Sequence, residues 1–116
     1  MSRKLAAVSE PNVQVVVEPR GEGTLVRVSG VLDALALAEV SRALTDAQRD
    51  HGTVYVDLAE VSFIDSRGLG ALLAANERSR EGAAPLRIFR PSEPVRRLLD
   101  VSGVAPVLTQ VDHLPE

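Results

Sequence analysis

The feature that most constrains the fold is a pair of short apolar runs, residues 24–29 (TLVRVS) and 53–58 (TVYVDL), separated by a segment long enough for a helix. Within that segment, apolar residues recur at helical spacing: Leu37, Val40, Leu44 and Ala47. Two strands joined by a helical crossover of this length pair in parallel. The chain is therefore predicted to contain a βαβ unit.

Similar patterns predict the remaining elements. Residues 13–18 (VQVVVE) form a β-branched run that predicts a strand, and a Gly-containing turn joins it to residues 24–29 as a hairpin. A second helix begins near Ser66, residues 85–89 (PLRIF) form a strand, and a third helix follows Ser92. A short edge strand is predicted in residues 104–109. The fold class is α/β, a mixed sheet covered by helices in the order ββαβαβα(β).

The length of 116 residues suits one domain. We predict a flexible leader over residues 1–12, a domain over 13–110 and a tail over 111–116. The leader lacks the apolar stretch of a secretory signal, and no apolar run is long enough to cross a bilayer. The expected compartment is the cytoplasm, without membrane insertion.

Charge and composition argue against several classes of function. The net charge is −3, whereas nucleic-acid binding draws its affinity from a basic surface, so no nucleic-acid partner is expected. Cysteine is absent, and His51 and His113 lack the spacing of metal ligands. No metal or other cofactor is therefore expected. Aromatic residues make up 3% of the chain, so the core is expected to consist of Val, Leu, Ile and Ala.

The most specific segment is residues 54–70 (VYVDLAEVSFIDSRGLG), in which an apolar strand runs through Asp65-Ser66 into a helix. Residues 30–33 (GVLD) lead from the second predicted strand towards the first helix, and residues 89–99 (FRPSEPVRRLL) lead from a strand into the third. In order and spacing, these motifs resemble the STAS domain family, and the match extends from about residue 13 to residue 108. The resemblance is to the anti-sigma factor antagonist branch.

That resemblance implies a protein–protein switch rather than an enzyme. In the antagonist branch, the serine after the aspartate is phosphorylated by a partner kinase that is also the anti-sigma factor, which places the phosphorylation site at Ser66. The implied partners are this serine kinase and a serine/threonine phosphatase that resets the switch. The implied partner-binding residues are Asp33, Asp65, Ser66, Arg67, Gly68 and Leu69. The oligomeric state does not follow from the sequence.

Each of these residues also has a structural interpretation. Ser66 and Asp33 are good helix N-caps, and Asp65 can bond nearby backbone N–H groups in a loop. Gly68 is expected to permit a close approach by backbone or by a partner, because glycine in a helix otherwise costs about 1 kcal/mol relative to alanine. Leu69 is expected to be a core or half-core residue.

The chain departs from the family pattern in two places. Arg67 stands where close relatives carry a small residue or threonine, and its guanidinium can pair with a phosphate or with an acid of the partner, or obstruct phosphorylation. The C-terminal VDHLPE is too short for the further helix that the antagonists usually carry, which would leave one sheet face less covered or open to a partner.

Two other functions remain open from the sequence. The first is a constitutive STAS interaction subunit of a transporter ATPase or another signalling assembly, which keeps the fold but needs no phosphorylation. The second is an enzyme, which the residues disfavour. Neither histidine has sequence support as a base for Ser66, and the chain has no G-x-x-x-x-G-K-[ST] loop.

Overall fold

The computed structural model describes residues 6–10, 12–50 and 52–116, which form one mixed sheet and the helices that pack on it. His51, residues 1–5 and Pro11 lie outside the described residues. The strands are β1 (Ala6–Glu10), β2 (Val13–Arg20), β3 (Gly23–Leu32), β4 (Val54–Ile64), β5 (Leu86–Phe89) and β6 (Gln110–Val111). The helices are α1 (Leu37–Ala47), α2 (Ser66–Arg80) and α3 (Glu93–Ser102), and a 3-10 helix spans Ala105–Val107.

The strands lie in the sheet in their order along the chain, from β1 to β6. The pairs β1–β2 and β2–β3 are antiparallel, and the pairs from β3 to β6 are parallel. The predicted α/β class and the element order from Val13 onward are therefore confirmed. The last strand was expected within residues 104–109, which is wrong: those residues hold the 3-10 helix, and β6 follows at Gln110–Val111.

The N-terminal segment differs from the expected flexible leader. Residues 6–10 form β1, which pairs with β2 in a register that runs from Ala6↔Val17 to Glu10↔Val13. The physical reason is that the outer edge of β2 would otherwise present a row of unpaired backbone N–H and C=O groups. The predicted bounds of the domain and of the tail stay predictions.

All three helices lie on one face of the sheet. Each connects two neighbouring parallel strands, the steps run in one direction, and right-handed crossovers then place every helix on the same side. The hydrophobic core lies between this face and the helices. The strands contribute alternate residues to it, among them Val26, Val28, Val56 and Ile88. The inward faces of the helices contribute Val40, Leu44, Leu72 and Leu99. The core is built mainly from Val, Leu, Ile and Ala, as predicted from the low aromatic content of the sequence.

Among the described residues, no helix lies on the opposite face, yet Leu25 on that face is fully buried. The segment after β6 reaches the turn between β2 and β3, close to this part of the sheet. Arg20 Nε donates a hydrogen bond of 2.7 Å to the carbonyl of Pro115, and the Pro115 side chain lies beside Gly21. Because β4 and β5 separate β6 from the β2–β3 turn, residues 112–116 cross the helix-free face to reach that turn. The tail thus covers part of the face that was expected to be bare.

The same helix-free face holds a buried carboxylate, Asp57, in the middle of β4. Its Oδ2 accepts from Arg27 Nε at 3.3 Å and from Arg90 Nη2 at 3.0 Å, and its Oδ1 accepts from the Ala59 N–H at 3.0 Å. A buried charge is tolerated when it is paired and hydrogen-bonded in this way. The cluster ties β3, β4 and the end of β5 together, at the level where β5 leads into its loop.

Candidate functional site

Two loops meet at the carboxyl ends of β3 and β4. These strands pair in parallel, with Leu32 opposite Ile64 at their ends, so the loops that follow them leave the sheet side by side. The Asp65 N–H donates to the Leu32 carbonyl at 3.4 Å and fixes one loop against the other. The predicted site residues, Asp33 and the run from Asp65 to Leu69, are thereby brought to one edge of the sheet.

Asp65 is the N-cap of α2. Its backbone is extended, and its Oδ1 accepts from the N–H groups of Arg67 at 3.0 Å and Gly68 at 3.1 Å. This confirms that Asp65 bonds nearby backbone N–H groups. The expectation that Ser66 itself caps the helix is wrong, because β4 ends at Ile64 and leaves the extended cap position to Asp65. Ser66 is the first helical residue, and its side chain is exposed.

We expect the variant Asp65→Ala to lower the free energy of unfolding by about 1 kcal/mol, the usual value of an N-cap. Two backbone N–H groups at the start of α2 would lose their acceptor. Urea denaturation measures the loss, and Asp33→Ala serves as a control with a smaller expected effect. Equal stability of Asp65→Ala and the unmodified protein would show that the cap contributes nothing.

Asp33 lies in the turn before α1 and does not cap that helix. Its Oδ1 accepts from the Leu35 N–H at 3.0 Å, whereas the N-cap position is occupied by Ala36 and no side chain caps there. The expected helix cap at Asp33 is therefore wrong. A short turn over residues 33–36 intervenes and delays the helix to Leu37. Within this turn Asp33 is half-buried, and the side chain of Leu35 projects into solvent.

Gly68 and Leu69 lie under the surface formed by the two loops. A Cβ atom at position 68 would overlap the carbonyl oxygen of Leu32 and lie 2.8 Å from Leu32 Cγ. The expected close approach at Gly68 is confirmed, and the group that approaches is the backbone of β3. Leu69 is buried in the core. Both residues support the site from beneath, and neither is placed to touch a partner directly.

The docking surface, as we name it, consists of the exposed or half-exposed residues at this edge: Asp33, Leu35, Phe63, Asp65, Ser66 and Arg67. Leu35 and Phe63 are apolar residues that the sequence analysis did not single out. The sequence does contain a signal for Phe63. Neighbouring strand residues point to opposite faces of the sheet, so only one of Phe63 and Ile64 can point into the core beneath the helices. Ile64 is the buried member.

The surface carries charges of both signs, from two carboxylates and one guanidinium. Within the part of the chain that the structure describes, no side chain forms an ion pair with Arg67, which is exposed. In the same residues, no group of three or more His, Asp or Glu side chains is arranged to hold a metal ion. Across the described ranges, no helix combines the length and apolar character needed to cross a membrane.

Comparisons with known proteins agree with this geometry. The family model described as "Mlab, STAS domain" matches residues 15–110. The anti-sigma-B factor antagonist of Listeria monocytogenes is 30% identical over 99 residues, which cover 84% of this chain and 87% of the relative.

Solved structures show the same fold. An anti-sigma factor antagonist from Mycobacterium paratuberculosis superposes with a TM-score of 0.78 at 21% identity, covering 91% of this chain and 92% of that one. The anti-sigma factor antagonist SpoIIAA in its unphosphorylated form gives a TM-score of 0.64 at 25% identity, covering 85% and 89%. The match to the family model and the identity with the Listeria relative show that the chain belongs to the STAS domain family, among the anti-sigma factor antagonists.

Proposed function

We propose that this protein is a phosphorylation-controlled switch that binds an anti-sigma factor with serine kinase activity and so releases the sigma factor that this kinase holds. Phosphorylation of Ser66 ends the binding, and a serine/threonine phosphatase restores it. The observation that carries the proposal is the exposed Ser66 side chain, which stands on the docking surface at the start of α2.

The cap geometry supports Ser66 as the phosphate acceptor. The side chain of Asp65 occupies the N–H groups of Arg67 and Gly68, so the Ser66 hydroxyl is not needed to cap the helix. During transfer, a bond forms between Ser66 Oγ and the γ-phosphorus of ATP held by the kinase, and the bond to ADP breaks. The hydroxyl proton passes to a base of the kinase. The protein is the substrate of this reaction and performs no chemistry of its own.

The charge change explains how a phosphate would act. A phosphoserine carries about −1.5 to −2 charge at neutral pH, and it would be added within a surface that already holds Asp33 and Asp65. In the complex this charge would be buried against the partner beside these two carboxylates, which costs several kcal/mol, and every 1.4 kcal/mol is tenfold in affinity. Because Ser66 lies on the docking surface, no rearrangement of the fold is required to disrupt binding.

A release experiment tests this function. The complex of the sigma factor with the anti-sigma kinase encoded beside this protein is titrated with the protein, and free sigma factor is measured by size-exclusion chromatography. We expect release without ATP, loss of release when ATP allows phosphorylation, and continued release by Ser66→Ala under both conditions. Absence of release in every condition would contradict the proposal.

The constitutive interaction subunit is the second candidate, and Arg67 is the feature that favours it. Its exposed guanidinium follows directly after Ser66 and can pair with an acid of a partner without any phosphate. Binding to a transporter ATPase that is equally tight for the unmodified protein and for Ser66→Asp would support this candidate against the switch.

A further inference from the structure

We propose that Leu35 and Phe63 are the apolar anchors by which the docking surface binds the anti-sigma factor, an inference that rests on the proposed function. The Leu35 side chain is 81% exposed in the turn after β3, and Phe63 is 50% exposed near the end of β4. A few residues that fill well-packed pockets near the centre of an interface commonly supply most of its binding energy.

Both side chains lie within reach of a partner that binds at Ser66. Phe63 is three residues from Ser66, which limits the separation of their Cα atoms to about 10 Å. Leu35 is three residues from Leu32, whose carbonyl accepts from the N–H of Asp65. A standard interface covers about 800 Å² on each partner, a patch about 30 Å across. A partner of ordinary size centred on Ser66 therefore covers both anchors.

The surroundings of the anchors define the chemistry of the occupant. Asp33 and Asp65 lie beside them and give this edge two carboxylates, against the single guanidinium of Arg67. The complementary surface on the anti-sigma factor is an apolar recess for the two anchors, with a basic side chain opposite Asp33 and none opposite Ser66. A phosphate on Ser66 would place a dianion at the rim of that recess, where the apolar contact excludes water and the charge is costly to bury.

The chain offers matched controls for a test. Val101 is 79% exposed and Val107 is 51% exposed, so they resemble Leu35 and Phe63 in exposure and apolar character. Val101 lies in the last turn of α3, and Val107 closes the 3-10 helix that follows. A crossover helix runs antiparallel to its strands, so these two valines lie at the amino ends of the parallel strands, opposite the docking surface.

The experiment measures the dissociation constant of the anti-sigma kinase for the unmodified protein and for Leu35→Ser, Phe63→Ser, Val101→Ser and Val107→Ser, by isothermal titration calorimetry without ATP. We expect at least a tenfold weaker affinity for each of the first two variants and a change of less than about twofold for the two valine variants. Urea denaturation of Leu35→Ser checks that the fold is kept, because this side chain is almost wholly in solvent.

The outcomes separate the two proposals. Tight binding by the unmodified protein, with the affinity of Leu35→Ser and Phe63→Ser unchanged, would overturn the anchors and leave the proposed function standing. Equal losses in all four variants would also overturn the anchors, since the effect would not be specific to this surface. No binding by the unmodified protein would contradict the proposed function itself and the anchors with it.

Discussion

Gly68→Ala is expected to destabilise the protein by about 2 kcal/mol, within the usual range of about 1–3 kcal/mol for overpacking a filled interior. A methyl group at this position would collide with the carbonyl oxygen of Leu32, which is held within β3, and would crowd the side chains of Leu32 and Ile64. Helix propensity alone predicts the opposite sign, a gain of about 1 kcal/mol. The collision is expected to outweigh that gain, because sheet backbone cannot move aside as a side chain can.

Gly70→Ala is the matched control two residues along the same helix. A Cβ atom there would meet no atom within 4 Å, so only the propensity gain applies and stability should rise by about 1 kcal/mol. Urea denaturation of both variants measures the two free energies of unfolding. A stabilised Gly68→Ala protein would show that the first turn of α2 does not pack on β3 as described.

Ser66→Asp is expected to bind the anti-sigma kinase at least tenfold more weakly than the unmodified protein. The substitution places one negative charge beside Asp33 and Asp65 on the docking surface, and burying that charge against the partner costs several kcal/mol. Ser66→Ala adds no charge, so it should bind as tightly as the unmodified protein and remain bound when kinase and ATP are present. Calorimetry with and without ATP measures these affinities.

Thr109→Asp controls for a general effect of added charge. Thr109 is exposed just before β6, at the amino ends of the parallel strands and away from the docking surface. The affinity of the Thr109→Asp variant for the kinase should differ little from that of the unmodified protein. The interface-charge mechanism would fail if Ser66→Asp bound as tightly as Thr109→Asp.

The fold could be predicted from sequence where the elements are long and strongly patterned. The hairpin of β2 and β3, the crossover helix α1 and the parallel strand β4 all follow from apolar periodicity. β1 could not be predicted in this way, because the sequence AAVSE has little strand character and its pairing depends on the exposed edge of β2. The role of Asp57 could not be predicted either. Its pairing with Arg27 and Arg90 joins residues far apart in the sequence and depends on tertiary contacts.

The candidate site was predicted in outline and missed in detail. The serine at the start of α2 was located correctly, but the cap is Asp65, since aspartate and serine cap helices equally well and the end of β4 decides between them. One of Phe63 and Ile64 was bound to face away from the core, but the two register shifts between β3 and β4 hide from the sequence which one it is. The exposure of Leu35 depends on the turn that delays α1 to Leu37.

The measurement that tests the central claim most directly is the affinity of the anti-sigma kinase for protein that carries a phosphate on Ser66 alone. Such protein can be made by incorporating phosphoserine at position 66, with the site verified by mass spectrometry, so that the result does not depend on the kinase accepting Arg67. A phosphate adds more charge than aspartate, and we predict a dissociation constant at least 100-fold above that of the unmodified protein. Equal dissociation constants for the two forms would contradict the switch.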